Sequence, residues 1–181
     1  MYSINTPSDY SLPTELLSFG DFDIVPFLLY RAAPVRTTSL SYDLEHVLSV
    51  EVRSDLFNRF MVDSRDLFIF SSSLDKQIDR IADLGLADQN LLCDCDKGFC
   101  WVRQNPKNDI ASDAKLFDAL LVHLRNSFAH GRTSGDGDRL ILEDQFNSKS
   151  KSNNLSARFV LEPSTLVEWV KAIEKAIIQT L

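Results

Sequence analysis

The stretch Arg125-Asn126-Ser127-Phe128-Ala129-His130 holds a permanent cation, an amide and an imidazole close together. On a helix, Asn126 and His130 are four residues apart and share a face. Arg125 lies about 100° round the axis, but its long arm can swing to the same side. The three groups can then gather round one phosphate. A guanidinium fork matches phosphate oxygens. A histidine takes and gives protons near neutral pH, and such general acid–base catalysis contributes roughly 10²–10⁴-fold in rate. RNA carries its own nucleophile, the 2′-hydroxyl, so proximity is already provided. What remains is to move protons and to stabilise a charged phosphorane. That chemistry requires no metal. A plainer reading stands beside it: Arg and His at a helix end can simply cap carbonyls, and short motifs match by chance.

The element that must present these groups is a helix over 113–131. Asp113 can cap it, and Leu116, Phe117, Leu120, Leu121, Leu124 and Phe128 form its apolar stripe. Gly131 can turn left-handed and stop it. His130 therefore sits at a helix C-terminus, where the macrodipole favours positive charge. Upstream, 41–85 reads as a first helical pair. Leu44, Leu48, Val52, Leu56 and Phe60 form one stripe, and Leu67, Phe70, Leu74, Ile78 and Ile81 form the other. Residues 86–112 read as a loop or short elements anchored by Trp101.

Downstream, 132–138 and 147–154 are polar connections. Between and after them, Arg139-Leu140-Ile141-Leu142-Glu143 and Ser156-Ala157-Arg158-Phe159-Val160-Leu161 read as strands that can pair in a hairpin spanning 139–161. A last helix over 164–180 opens on a capping box of Thr165 and Glu168 and buries Leu166, Trp169, Val170, Ile173 and Ile177. Residues 1–40, with Pro7, Pro13, Pro26 and Pro34, are irregular. The expectation is one domain over 1–181: mainly α, an antiparallel helical bundle with a small β-hairpin inserted before the last helix.

The totals agree with that. The chain has 181 residues, 44% hydrophobic and 25% charged, as in an ordinary soluble globular domain. Its longest apolar run, 24–30, is broken by Pro26 and falls far short of the ~20 residues of a membrane span. The N-terminus, MYSINTPSDY, has neither the basic region nor the apolar run of a signal peptide. A cytoplasmic protein with no membrane contact is expected. Cys93, Cys95 and Cys100 fit that compartment as free thiols. A structural zinc site wants four ligands, so His46 or His123 would have to join them, and the spacing matches no known finger. No metal and no cofactor are expected.

A net charge of −7 argues against broad affinity for nucleic acid and requires any RNA site to be locally basic. Two further residues are candidates for substrate contact. His123 lies two turns before His130 on roughly the same side, although a helix-surface role is the plainer reading. Arg132 can touch a phosphate, against the alternative of a solvated loop cation. Lys149 and Lys151 sit in a polar loop that could add positive charge.

The motif Leu124-Arg125-Asn126-Ser127-Phe128-Ala129-His130-Gly131 resembles the R-x4-6-H signature of HEPN domains, in which a polar residue, often Asn, follows the Arg. The likeness is specific over residues 120–132, with the helical pattern as weaker support. It extends to the bacterial HEPN proteins associated with plasmids and phages, in which short strands and a final Trp-bearing helix follow the motif. The resemblance implies Arg125 and His130 as catalytic residues and Asn126 as the group that orients them. It implies a metal-independent endoribonuclease of a toxin–antitoxin or antiviral defence system. It also implies a homodimer that brings two motifs into one composite site, with an antitoxin or operon product as a further partner. The alternative within the same fold is a noncatalytic module that uses the same Arg and His to bind a nucleotide or a partner protein. Some HEPN toxins are silenced by modification of a Tyr near the motif; this chain has no Tyr after Tyr42.

Overall fold

The computed structural model describes residues 44–63, 67–71, 99–103, 112–136, 138–145 and 155–181. Their elements in chain order are α1 (Leu44–Val47), α2 (Val50–Asp63), β1 (Leu67–Ser71), β2 (Phe99–Arg103), α3 (Asp113–Ala129), β3 (Thr133–Asp136), β4 (Arg139–Gln145), β5 (Leu155–Leu161) and α4 (Pro163–Thr180).

The helices form because their apolar residues recur at three and four. In α3 the buried positions are Ala114, Phe117, Leu120, Leu121, Leu124, Ser127 and Phe128, one stripe along a 3.6-residue period. In α4 Leu166, Trp169, Val170, Ile173 and Ile177 do the same. The stripes meet in one core, to which α2 adds Phe57 and Phe60. The ring of Phe60 stacks on Trp169 at 4.9 Å and lies 5.9 Å from Phe117. These rigid rings tie α2, α3 and α4 together.

The strands form a single sheet in the order β1-β2-β5-β4-β3. The β1–β2 pair is parallel and the other three pairs are antiparallel. Alternation along the strands assigns the faces. Leu140, Leu142, Ala157, Phe159 and Leu161 join the helical core. Ile141 and Val160, paired across β4 and β5, point the other way and are buried too. So α3 lies against the sheet over β4 and β2, with α2 on it.

Helix is the commoner state among the described residues, and an antiparallel hairpin, β4–β5, precedes the last helix, as the sequence predicts. The hairpin is part of a five-stranded sheet rather than a small insertion, and several details differ as well. The stripe read as helical over 67–81 begins with a strand, since 67–71 is β1. Leu-Phe-Ile-Phe is an apolar run that fits either period, and pairing with β2 decides it. Residues 72–98 lie outside the described residues, as do 1–43, Cys93, Cys95 and Lys149-Ser150-Lys151. In the segment read as a loop or short elements, 99–103 is the short strand β2, which places Cys100 in the core. The polar connection after the motif contains β3, which pairs with β4.

Two caps differ as well. Ser112, not Asp113, is the N-cap of α3. Asp113 is the first helical residue, where the dipole favours an acid, and it accepts a hydrogen bond from Asn58. The last helix starts at Pro163 behind Glu162, two residues before the expected capping box. Proline at the first helical position suits that earlier start, because its missing N–H would have no partner there.

Candidate functional site

The site is built on the C-terminal half of α3. His123, Asn126 and His130 step along one face at three and four residues. The helix ends in a complete Schellman turn. Gly131 has φ +62, the left-handed conformation that glycine adopts at least cost. Its N–H donates to Phe128 O at 3.1 Å, and the Arg132 N–H donates to Ser127 O at 2.9 Å. His130 is the C-cap and is exposed. The turn then hands the chain to the sheet. The Glu143 N–H donates to Arg132 O at 3.0 Å, and Arg132 Nη1 donates to Gln145 O at 3.0 Å. The motif helix is thus stitched to β4 directly after its last residue.

A chain of side-chain hydrogen bonds runs back from the motif to β4. Arg125 Nη1 donates to Asn126 Oδ1 at 3.1 Å. Asn126 Nδ2 donates to Asp144 Oδ2 at 3.2 Å. His123 Nδ1 meets the same Asp144 oxygen at 2.7 Å, and because a carboxylate only accepts, the ring nitrogen carries the proton. Ser127, fully buried, donates to His123 O at 2.8 Å. Burial pushes Asp144 toward its neutral form and is the largest single influence on it. Hydrogen bonds from His123, Asn126 and Ser156, together with the His123 charge, outweigh burial and hold the carboxyl below its ordinary value. Asp144 is therefore ionised at neutral pH, with its charge turned on His123, Asn126 and Ser156.

The expected site residues are distributed as follows. Arg125 and Asn126 are half-buried and bonded to each other. That bond draws the guanidinium toward the face Asn126 shares with His130. The His130 ring makes no hydrogen bond among the described residues. His123, read from the sequence as a candidate for substrate contact, has a ring nitrogen committed to Asp144, and its side chain is 18% exposed. Arg132, the other candidate for substrate contact, is half-buried and commits one donor to the Gln145 carbonyl. Among the described residues, no group of three or more His, Cys, Asp or Glu is arranged to hold a metal ion.

Sequence reasoning missed Asp144. A signal for it was present. In a strand, two adjacent carboxylates point to opposite faces, so one of Glu143 and Asp144 had to share the face of Leu140 and Leu142, which is the helix face.

The described residues thus define a protein in which helices cover one face of a sheet and a polar network joins the motif helix to a strand. Comparison of the chain with family models, curated proteins and solved structures finds no match. No described helix is long and apolar enough to cross a membrane.

Proposed function

We propose that this chain is a HEPN-type, metal-independent endoribonuclease, acting as a cytoplasmic homodimer in a bacterial toxin or antiviral defence system. One observation carries the reading. The guanidinium of Arg125 is drawn by Asn126 toward the face on which exposed His130 closes the helix. A cation and an exposed imidazole presented on one helix end are the minimum that RNA cleavage needs.

In the reaction, His130 takes the proton of a 2′-hydroxyl, and that oxygen attacks the adjacent phosphorus. The 2′-O–P bond forms and the P–O5′ bond breaks. The proton passes to O5′, leaving a 2′,3′-cyclic phosphate and a 5′-hydroxyl. Arg125 neutralises the charge that builds on the phosphorane oxygens. Asp144 does not spoil the site for a phosphate, because its charge faces His123 and Asn126. Dimerisation doubles the local cations on a chain of net charge −7.

The test is cleavage of RNA in excess chelator by wild type, His130→Ala and Arg125→Ala. Wild type should yield cyclic-phosphate ends, and each variant should lose roughly 10²–10⁴-fold. Equal cleavage by the variants, or no cleavage of any RNA by wild type, overturns the reading. A rise in melting temperature with nucleotide and no cleavage assigns the site to binding instead.

A further inference from the structure

We propose that Asp144 is a positioning residue for the cleavage reaction: acting through Asn126, it fixes the guanidinium of Arg125 at the phosphate. The inference rests on the endoribonuclease reading and adds to it a residue from another element, β4.

The argument begins with the amide. The side chain of Asn126 has a donor end and an acceptor end, and it can turn over. With Nδ2 on Asp144 Oδ2 and Oδ1 on Arg125 Nη1, the amide lies between an anion and a cation in the one orientation that satisfies both. Reversed, it would set its NH2 against the guanidinium and its oxygen against the carboxylate, two repulsive contacts. The carboxylate therefore sets the amide, and the amide sets the guanidinium.

The guanidinium depends on that contact. Arg125 Nε is buried without a hydrogen-bond partner, and Asn126 Oδ1 is the one acceptor holding Arg125 among the described residues. Asp144 is itself held. It is buried, lies on a paired strand opposite Ala157, and takes His123 Nδ1 at 2.7 Å. His123 and Asn126 sit one turn apart on α3, so a single oxygen of β4 spans that turn and keys the helix to the strand. A purely structural pair would have no reason to reach the motif. Here the network ends on the cation that the chemistry uses.

Placement of a catalytic group matters steeply, since a misplacement of about 1 Å can cost about 10²-fold. Asp144→Leu keeps the bulk and removes the acceptor. If that variant does not fold, Asp144→Ala takes its place. Asp144→Asn is the conservative variant, because its carbonyl oxygen can accept both bonds. Cleavage of a fixed RNA by folded protein is measured as kcat and KM.

The expected result for Asp144→Leu is a fall in kcat of about 10²-fold with KM little changed. Asp144→Asn should recover most of that loss. In an Arg125→Ala background, Asp144→Leu should change the rate by no more than about twofold, because the group it positions is gone. Wild-type rates in Asp144→Leu, a loss that multiplies undiminished with that of Arg125→Ala, or no recovery in Asp144→Asn each overturn this inference while wild-type cleavage leaves the function standing. Absence of cleavage by wild type overturns the function, and the role of Asp144 with it.

Discussion

Glu143 and Asp144 are neighbours on β4, yet their charges are treated in opposite ways. Glu143 points away from the helical core, directly across from Arg158 in the sheet register. Both side chains are fully buried, and Arg158 Nε donates to Glu143 Oε1 at 2.7 Å. Asp144 points toward α3 and meets a histidine and an amide that both keep some contact with solvent. A sealed ion pair brings little net stability, because desolvation offsets the attraction, but it penalises any register that separates the two charges. A charge at the edge of a site has another use, since it can orient groups that a substrate will reach. One strand supplies both because its side chains alternate. The sheet is held in register on one face and the motif is held in place on the other.

The largest effect is expected where the comparison is sharpest. Glu143→Leu removes the carboxylate that faces the buried Arg158 guanidinium, and removing one partner of such a pair costs about 3–5 kcal/mol. Glu143→Leu combined with Arg158→Met removes both charges and should recover most of that loss, as buried pairs replaced by apolar residues commonly do. Urea unfolding of the single and double variants measures this. Equal stability of the two would mean that the pair does not act as a unit.

A smaller effect is expected at Asp144, whose partners are partly exposed and therefore screened. Its carboxyl sits below its ordinary value in the folded chain. The unfolded chain then binds a proton more readily, so the contribution to stability is present above the ordinary aspartate value of about 3.9 and is lost as pH falls through the lowered folded value. Asp144→Asn should flatten the stability curve in that acid window and leave its shape near pH 7 unchanged. Unfolding midpoints collected between about pH 2.5 and 7 check it. An unchanged acid limb would remove Asp144 as a source of acid sensitivity.

What could be read from the sequence follows the range of the interaction that decides each feature. Helix α3, with its stripe and its Gly131 stop, is local, and both were legible. So was the β4–β5 hairpin, since apolar runs flanked by polar connections announce it. β1 was misread because Leu67 and Phe70 satisfy a helical spacing as well as a strand, and the deciding partner, β2, is about thirty residues away. β3 gave no apolar signal because Thr-Ser-Gly-Asp at a sheet edge pairs through its backbone. Arg125, Asn126 and His130 were legible as a motif. Asp144 was not, because its role depends on which strand face meets which helix turn, a fact of packing that spacing does not carry. The pairing of Glu143 with Arg158 was hidden for the same reason, since it depends on register.

The smallest stability effect falls on Gly131, which joins the two regions. Its turn places His130 at the end of α3 and delivers Arg132 O to the Glu143 N–H. A Cβ there would meet nothing within 4 Å, so space is not the obstacle to Gly131→Ala. The backbone is, because φ +62 costs an alanine about 1 kcal/mol. Asparagine tolerates that conformation better, so Gly131→Asn should lose less. Urea unfolding gives the stability term and RNA cleavage gives the functional one. If the turn only joined helix to sheet, Gly131→Ala would lower stability and leave the rate of folded protein unchanged. Because His130 is the adjacent residue and its ring has no hydrogen bond among the described residues, relaxation of the strain should move the imidazole, and the rate should fall with Asn recovering part of it. An unchanged rate in Gly131→Ala would show that the Asp144 side of β4 alone positions the site.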